Sequence, residues 1–389
     1  MNNNKYDYYK KALVVTTVAS TLDQFCMNDI SILQKLYKVS VAANFSVGSN
    51  TSKERVKEFK SELHKKNITV NELNFNRNPF SKENLSAYKE MKKLIKDNSF
   101  ELIHCHTPVA AMVVRLAAKN ARKKGTKVIY TAHGFHFFKG APLKNWMLFY
   151  PVELWLARYT DVLITINKED YNRAKKSFKV GKVEYIPGVG IDTKKFNEFV
   201  VDKPAKCNEL GVPDNAFLVL SVGELNKNKN HETIIKAIAK LNNPNVYYMI
   251  CGQGVLEDFL KDLIKELELE KQVKLLGYRR DVAEISKIAD VFVFPSRREG
   301  LGLAALEAMA SGLPIITSNI HGIVDYSING VTGYICDPNN ICGFTQAIEI
   351  LMRHKEIREA MCRNNLKTVA KYDIKNVLEI MEEIYFKQG

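Results

Sequence analysis

No apolar run in this chain of 389 residues approaches the ~18 that a spanning helix needs, so no segment is expected to cross a bilayer. The first residues, MNNNKYDYYKK, are polar and do not resemble a signal peptide. Cysteine is scarce: the seven (26, 105, 207, 251, 336, 342 and 362) make an odd count and include no CxxC pair. That argues against a disulfide framework and against a zinc site, and they read as reduced cytosolic thiols that mostly fill cores. There is no repeat of solenoid length and no low-complexity segment. Zinc-finger spacing, a basic zipper and an aromatic RNA-binding motif are missing too, so the net charge of +14 is not read as a nucleic-acid footprint.

That charge is unevenly spread. Residues 1–200 hold 34 Lys and Arg against 18 Asp and Glu, whereas residues 201–389 hold 23 against 25. A basic first half points to something anionic, either a membrane surface or a phosphate-bearing substrate. A solvated lysine coat is the plain alternative. The length suits two domains, each large enough for its own core.

Strand-like and helix-like runs alternate through both halves. Ala12–Val18, Val39–Asn44, Ile68–Leu73, Leu102–His106, Lys127–Thr131 and Val162–Ile166 read as strands. A loop is expected after the first of them, then a helix from about Asn28 to Leu36. Helices such as SAYKEMKKLIKD and VAAMVVRLAAKNARKK separate the later strands, which predicts a parallel, doubly wound sheet. The Pro- and Gly-rich VEYIPGVGIDT (183–193) interrupts the pattern and reads as a linker. Alternation restarts at LVLSVGEL (218–225) and continues through VYYMICGQG, VKLLGY, VFVFPS and PIITSN. The expected class is α/β, with domains at 1–188 and 189–371. The segment Pro142–Arg158 holds both tryptophans and reads either as a core-facing helix broken at Pro151 or as a surface for lipid.

The stretch that organises the rest is VFVFPSRREGLGLAALEAMASGLPIIT (291–317). A buried strand stops at Pro295-Ser296, the carboxylate Glu299 precedes Gly300 and Gly302, and a helix carrying Glu307 starts near Leu301 and ends at Ser311-Gly312. A strand, a glycine turn and a helix N-terminus together suit an anion, since free amides and the helix dipole both favour negative charge.

With its two glutamates separated by seven residues, this stretch resembles the nucleotide-sugar signature of the retaining glycosyltransferases of family four. The likeness extends along essentially the whole chain, and implies the GT-B architecture of two Rossmann-like domains facing across a cleft, with a final helix (372–389) returning to the first domain. It implies donor contacts at Gly223, Lys229, Tyr278, Arg279, Gly300, Leu301, Gly302, Leu303 and Glu307. Lys229 and the amides after Gly300 would stabilise the leaving diphosphate, Glu307 would bind ribose hydroxyls, and Glu299 would hold the sugar near its anomeric carbon. Tyr278 and Arg279, in LLGYRRD, would lie by the nucleobase. His133, in YTAHGFHFFKG, matches a histidine that contacts the donor sugar, which makes Glu299, His133 and Lys229 the expected catalytic set. Glu224 departs from the pattern by standing where arginine is common, so either Lys227, which otherwise reads as a solvated surface residue, substitutes or Lys229 and the helix amides hold the diphosphate alone. The first loop departs as well, with Ala19-Ser20-Thr21 in place of a glycine pair. Ser20, Thr21 and Asp23 are the expected acceptor-side groups. His104 and His106 flank Cys105 like a metal pair, but the sequence offers no third ligand, so they read as satisfied strand-end histidines.

The resemblance implies a retaining transfer from a nucleotide diphosphate sugar, most naturally uridine-linked, with no cofactor and no metal. It fits the absence of an Asp-x-Asp triplet. The expected acceptor is a polyprenyl-diphosphate-linked saccharide at the anionic inner face of a bacterial membrane, in capsule or exopolysaccharide synthesis. The protein would be cytoplasmic and peripherally associated. A nucleotide-sugar epimerase of the same architecture, which would turn over donor without acceptor, and a non-catalytic sugar-nucleotide-binding protein are the alternatives. A phosphorylase would need a pyridoxal-bearing lysine segment, and none is evident.

Overall fold

A computed structural model describes residues 10–47 and 52–387. The chain forms two compact units, Met1–Val189 with Val377–Gly389, and Gly190–Asn376.

The first unit is built on a seven-stranded parallel sheet in the order β3-β2-β1-β4-β5-β6-β7. Its strands are β1 (Lys11–Val18), β2 (Lys38–Asn44), β3 (Thr69–Glu72), β4 (Leu102–His106), β5 (Lys127–Ala132), β6 (Val162–Thr165) and β7 (Lys182–Tyr185). Helices cover both faces, which is why β1 and β4 are buried along nearly their whole length instead of alternating. On one face Leu13, Val15, Ile103, Val114 and Phe137 belong to a single apolar core.

The second unit has a six-stranded parallel sheet ordered β10-β9-β8-β11-β12-β13. It comprises β8 (Phe217–Val222), β9 (Val246–Cys251), β10 (Val273–Gly277), β11 (Val291–Phe294), β12 (Ile315–Ser318) and β13 (Gly333–Cys336). The amphipathic helices His231–Leu241 and Ile341–Arg353 bury Ile234, Ile238, Phe344 and Ile348 in its core.

Four local expectations need correction. The segment after β1 is helical, not a loop. A short turn at Ala19–Thr21 runs into a π-helical stretch, Leu22–Cys26, and then the helix Met27–Leu33, which ends before Leu36. Leu22 and Cys26, four residues apart and so on one face, are both buried in the core. The Pro/Gly-rich crossing hides β7, and β13 lay outside the expected strands. Finally, Leu143–Leu156 is one helix with Pro151 inside it. Pro151 and Met147 are both exposed, so the carbonyl that loses its partner lies on the solvent side.

All seven cysteines are free thiols, and five of them are buried. No helix among the described residues is long and apolar enough to cross a membrane.

Candidate functional site

In the second sheet the chain winds one way from β8 and the other way from β11, so the loops after these two neighbouring strands diverge at the sheet's switch point. Open α/β sheets bind ligands at such points, beyond the carboxyl ends of the strands. The loop after β8 carries Lys229, and the loop after β11 carries Glu299.

The two loops are stapled together. Asn230, in left-handed conformation, donates from Nδ2 to the carbonyls of Pro295 (3.1 Å) and Pro338 (2.8 Å). Asn228 donates to the Arg298 carbonyl at 2.9 Å, and the Arg297 amide donates to the Asn228 carbonyl at 2.8 Å. Held this way, the Lys229 ammonium lies 2.5 Å from Glu299 Oε1 and 4.8 Å from the centroid of the Phe294 ring. Both side chains are mostly shielded, with 20% and 12% exposure. Gly223 lies against this lysine: a β-carbon there would sit 3.1 Å from Lys229 Cδ and 3.2 Å from Cε, and the stem would have to give by a few tenths of an ångström.

The helix after Glu299 spans Leu303–Ala310, capped by Gly302 at φ +89°. It starts two residues later than the expected Leu301, so Glu307 sits about one turn into it. The Ala305 amide donates to the Gly302 carbonyl at 3.1 Å, and the amides before it carry the positive end of the helix dipole. Tyr326 donates from beneath to the Leu301 carbonyl at 2.8 Å, and a β-carbon on Gly302 would come within 2.5 Å of Phe294. Burial pushes the half-buried Glu307 carboxyl up to about 7, with Lys195 pulling the other way.

The remaining donor-side residues differ in availability. Tyr278 is exposed. Arg279 is bound to Asp281 and Glu209, each at 2.5 Å, and both carboxylates raise its pKa. Its guanidinium is thus engaged, leaving the Tyr278 ring as the side chain open to a base. Glu224 and Lys227 are both exposed.

The first unit has its own switch point, between β1 and β4. There Thr107 takes φ +64°, a strained value for a β-branched residue. Its hydroxyl lies 2.7 Å from that of Thr17 and accepts from the Thr17 amide. Three imidazoles meet at the ends of β4 and β5. His104 is satisfied on both nitrogens, by Tyr385 (2.7 Å) and Thr131 (2.8 Å). His106 Nδ1 lies 3.1 Å from His133 Nε2, and its Nε2 lies 3.7 Å from Asp29 Oδ2.

Asp29 completes a set of three possible ligand atoms with His104 and His106, all within 4.8 Å of one another. With both nitrogens of His104 given to hydroxyls, the set presents two available ligands, one short of the usual protein complement for zinc. Ser20 is buried and Thr21 partly so. Asp23 makes a bidentate pair with Arg55 (2.7 and 2.9 Å), which fixes its carboxylate and leaves each oxygen a further acceptor site.

Residues 202–368 match the model for "Glycosyl transferases group 1", and residues 25–167 match "Glycosyl transferase 4-like". A "Putative glycosyltransferase EpsD" from Bacillus subtilis is 38% identical over 79% of this chain and 82% of its own length. The chain is a group 1 glycosyltransferase. An Escherichia coli relative, "UDP-Gal:alpha-D-GlcNAc-diphosphoundecaprenol alpha-1,3-galactosyltransferase", is 33% identical over 78% of this chain and 81% of its own. Among solved structures, Anabaena Alr3699/HepE in complex with UDP matches with a TM-score of 0.78 at 20% identity, covering 97% of this chain and 100% of that one. The fold is therefore GT-B.

In this glycosyltransferase the structure brings together Gly223, Lys229, Glu299 and the 300–303 turn, which lie up to 80 residues apart in sequence. Asn230 was missed, although an asparagine directly before a helical run is a recognisable start signal. Asp29 was missed as well, and no spacing rule links it to an HCH pair more than 70 residues away.

Proposed function

We propose that this glycosyltransferase moves a sugar, with retained configuration, from a uridine diphosphate sugar to a hydroxyl of a lipid-linked saccharide during surface-polysaccharide synthesis. The observation that carries the reading is the Lys229–Glu299 pair, fixed at the mouth of the glycine turn and the amide end of Leu303–Ala310. One Lys229 proton is given to Glu299, leaving the others for a diphosphate, and the helix amides add donors that need no reorganisation. In the transfer the bond from the anomeric carbon to the diphosphate oxygen breaks. A bond to the acceptor oxygen forms, and the hydroxyl proton leaves with the diphosphate. Glu307 addresses the ribose and Tyr278 the base, and no metal or other cofactor is assigned a part.

Two observations support a lipid-linked acceptor. The Escherichia coli relative is named for a diphosphoundecaprenol substrate. In the helix Leu143–Leu156, Leu143, Met147, Leu148, Val152 and Trp155 are all exposed. An exposed apolar stripe on a chain half that carries 34 cations against 18 acids suits peripheral binding to anionic lipid.

The test is to incubate the purified protein with a panel of nucleotide sugars and an undecaprenyl-diphosphate-linked saccharide, and to weigh the products. The expected result is a gain of one sugar, made only with acceptor present. Conversion of the donor without acceptor would instead mark an epimerase, and transfer to a small water-soluble acceptor alone would refute the lipid-linked part.

A further inference from the structure

We propose that Asp29, His106 and His133 form one proton-storing chain, in which Asp29 sets, through His106, which nitrogen of His133 carries its proton. The proposal rests on the transferase reading only where it has His133 meet the sugar.

His106 links the other two residues. His106 is buried and sits between the other two, its Nδ1 3.1 Å from His133 Nε2 and its Nε2 3.7 Å from Asp29 Oδ2. His106 Nε2 is fully shielded and makes no hydrogen bond, and the Asp29 carboxylate lies 3.7 Å from it. The distance is longer than a hydrogen bond and closes with a small side-chain shift. A cavity of about 10 Å³ lined by Asp29, His106 and His133 offers a second route, since it has room for about one bridging water. His133 is partly exposed, and its Nδ1 makes no hydrogen bond among the described residues.

Between two neutral imidazoles one nitrogen must donate and the other accept. If Asp29 is ionised, the His106 proton sits on Nε2 facing it, His106 Nδ1 accepts from His133 Nε2, and His133 Nδ1 is a bare acceptor. If Asp29 is protonated, every step reverses and His133 Nδ1 becomes a donor. Going from the second state to the first, the Asp29 proton moves to His106 Nε2, the His106 Nδ1 proton moves to His133 Nε2, and the His133 Nδ1 proton leaves. One proton is lost in that direction, and in the reverse direction a proton taken up at His133 Nδ1 is stored as the Asp29 carboxylic acid.

The surroundings keep the charge off the rings. Burial lowers His104 to about 3 and His133 to about 4, and holds His106 well below its usual range. Burial raises Asp29 to about 7, which makes it the group that titrates near neutrality. The other titratable groups facing the chain are Cys26 from the π-helical stretch and Tyr385 from the last helix, both raised by burial and neutral at that pH. His104 is fixed by its two hydroxyl partners and does not enter the relay.

The test is nitrogen-15 NMR of the histidine rings in the full chain between pH 5.5 and 8.5, with His133 assigned by difference from His133→Gln. In the parent the His133 proton is expected to move from Nδ1 to Nε2 as pH rises through about 7. In Asp29→Asn and in His106→Phe that movement should vanish. A His133 tautomer that ignores pH in the parent overturns the proposal without needing any variant to fold, and so does a switch that persists in Asp29→Asn. With an active donor and acceptor in hand, kcat of Asp29→Asn should fall about tenfold or more, with KM for donor little changed and the inflection near neutrality lost. If His133 switches but kcat is indifferent to it, the placement of His133 at the sugar fails and the chain itself stands.

Discussion

Replacing Lys229 by methionine tests the diphosphate site most directly. Methionine keeps the stem that lies against Gly223, and removes the ammonium together with its contact to the Phe294 ring. A hydrogen bond to a charged group contributes about 1.5–3 kcal/mol, which corresponds to roughly tenfold to a hundredfold weaker binding of UDP. A second effect adds to this. Glu299, 12% exposed and 2.5 Å from the lost ammonium, would be left as an unpaired carboxylate beside an incoming dianion. The double variant Lys229→Met/Glu299→Gln removes that repulsion and should bind UDP more tightly than Lys229→Met alone. Calorimetry at one fixed ionic strength measures both, with thermal unfolding as the control for folding. Unchanged UDP affinity in Lys229→Met would mean that the diphosphate is held elsewhere. A double variant no better than the single would separate Glu299 from the diphosphate.

Three further outcomes follow from the geometry. Glu307 has its pKa raised from the ordinary carboxylate range to about 7, so the folded state holds its proton more tightly than the unfolded chain does, and its burial costs stability above pH 7 but not below about 4.5. Glu307→Gln should therefore stabilise the protein at pH 8, by on the order of 2 kcal/mol, and have little effect at pH 5; in the parent, UDP affinity should weaken as pH falls through 7. Arg115 and Glu153 form a buried bidentate pair (2.8 and 3.1 Å) between Pro108–Ala117 and Leu143–Leu156, so Arg115→Met should cost about 3–5 kcal/mol in urea unfolding, and Arg115→Met/Glu153→Leu less. In liposome flotation, Met147→Gln/Trp155→Gln should weaken binding at every salt concentration, whereas Lys123, Lys124 and Lys127 changed to Gln should remove mainly the salt-sensitive part, about 1 kcal/mol per charge. A parent that ignores anionic liposomes would end the membrane reading and leave the transferase intact.

The fold was largely legible because parallel strands buried on both faces write themselves as short apolar runs between helices. Leu102–His106 was readable to the residue, and the final helix, expected within 372–389, runs Ile374–Phe386. The failures share a cause. β7 lies in a segment whose proline and glycines signal a turn, yet pairing with β6 overrides that local preference. β13 is four residues long, too short for any period to show. The residues after β1 are small and polar, and only the demand to bury Leu22 and Cys26 makes them helical. At the site, Lys229 and Glu299 carried recognisable spacing, but their contact, the engagement of Arg279 by two acids and that of Asp23 by Arg55 are tertiary facts. The Asp29–His106 approach is of the same kind, joining residues from separate helix and strand with no local signature.

The double staple of Asn230 constrains how this protein can change over time. Loops at binding sites ordinarily diversify by gaining and losing residues, and with length comes new specificity. The segment 223–230 is tied at its far end to the carbonyls of Pro295 and Pro338, so adding or deleting one residue would draw Lys229 away from Glu299 or break both ties. Length is thus closed to variation here, and what stays open is identity at Glu224 and Lys227, the two exposed positions on the same loop. Relatives that accept other donors should differ from this chain at those two positions while keeping the loop's residue count.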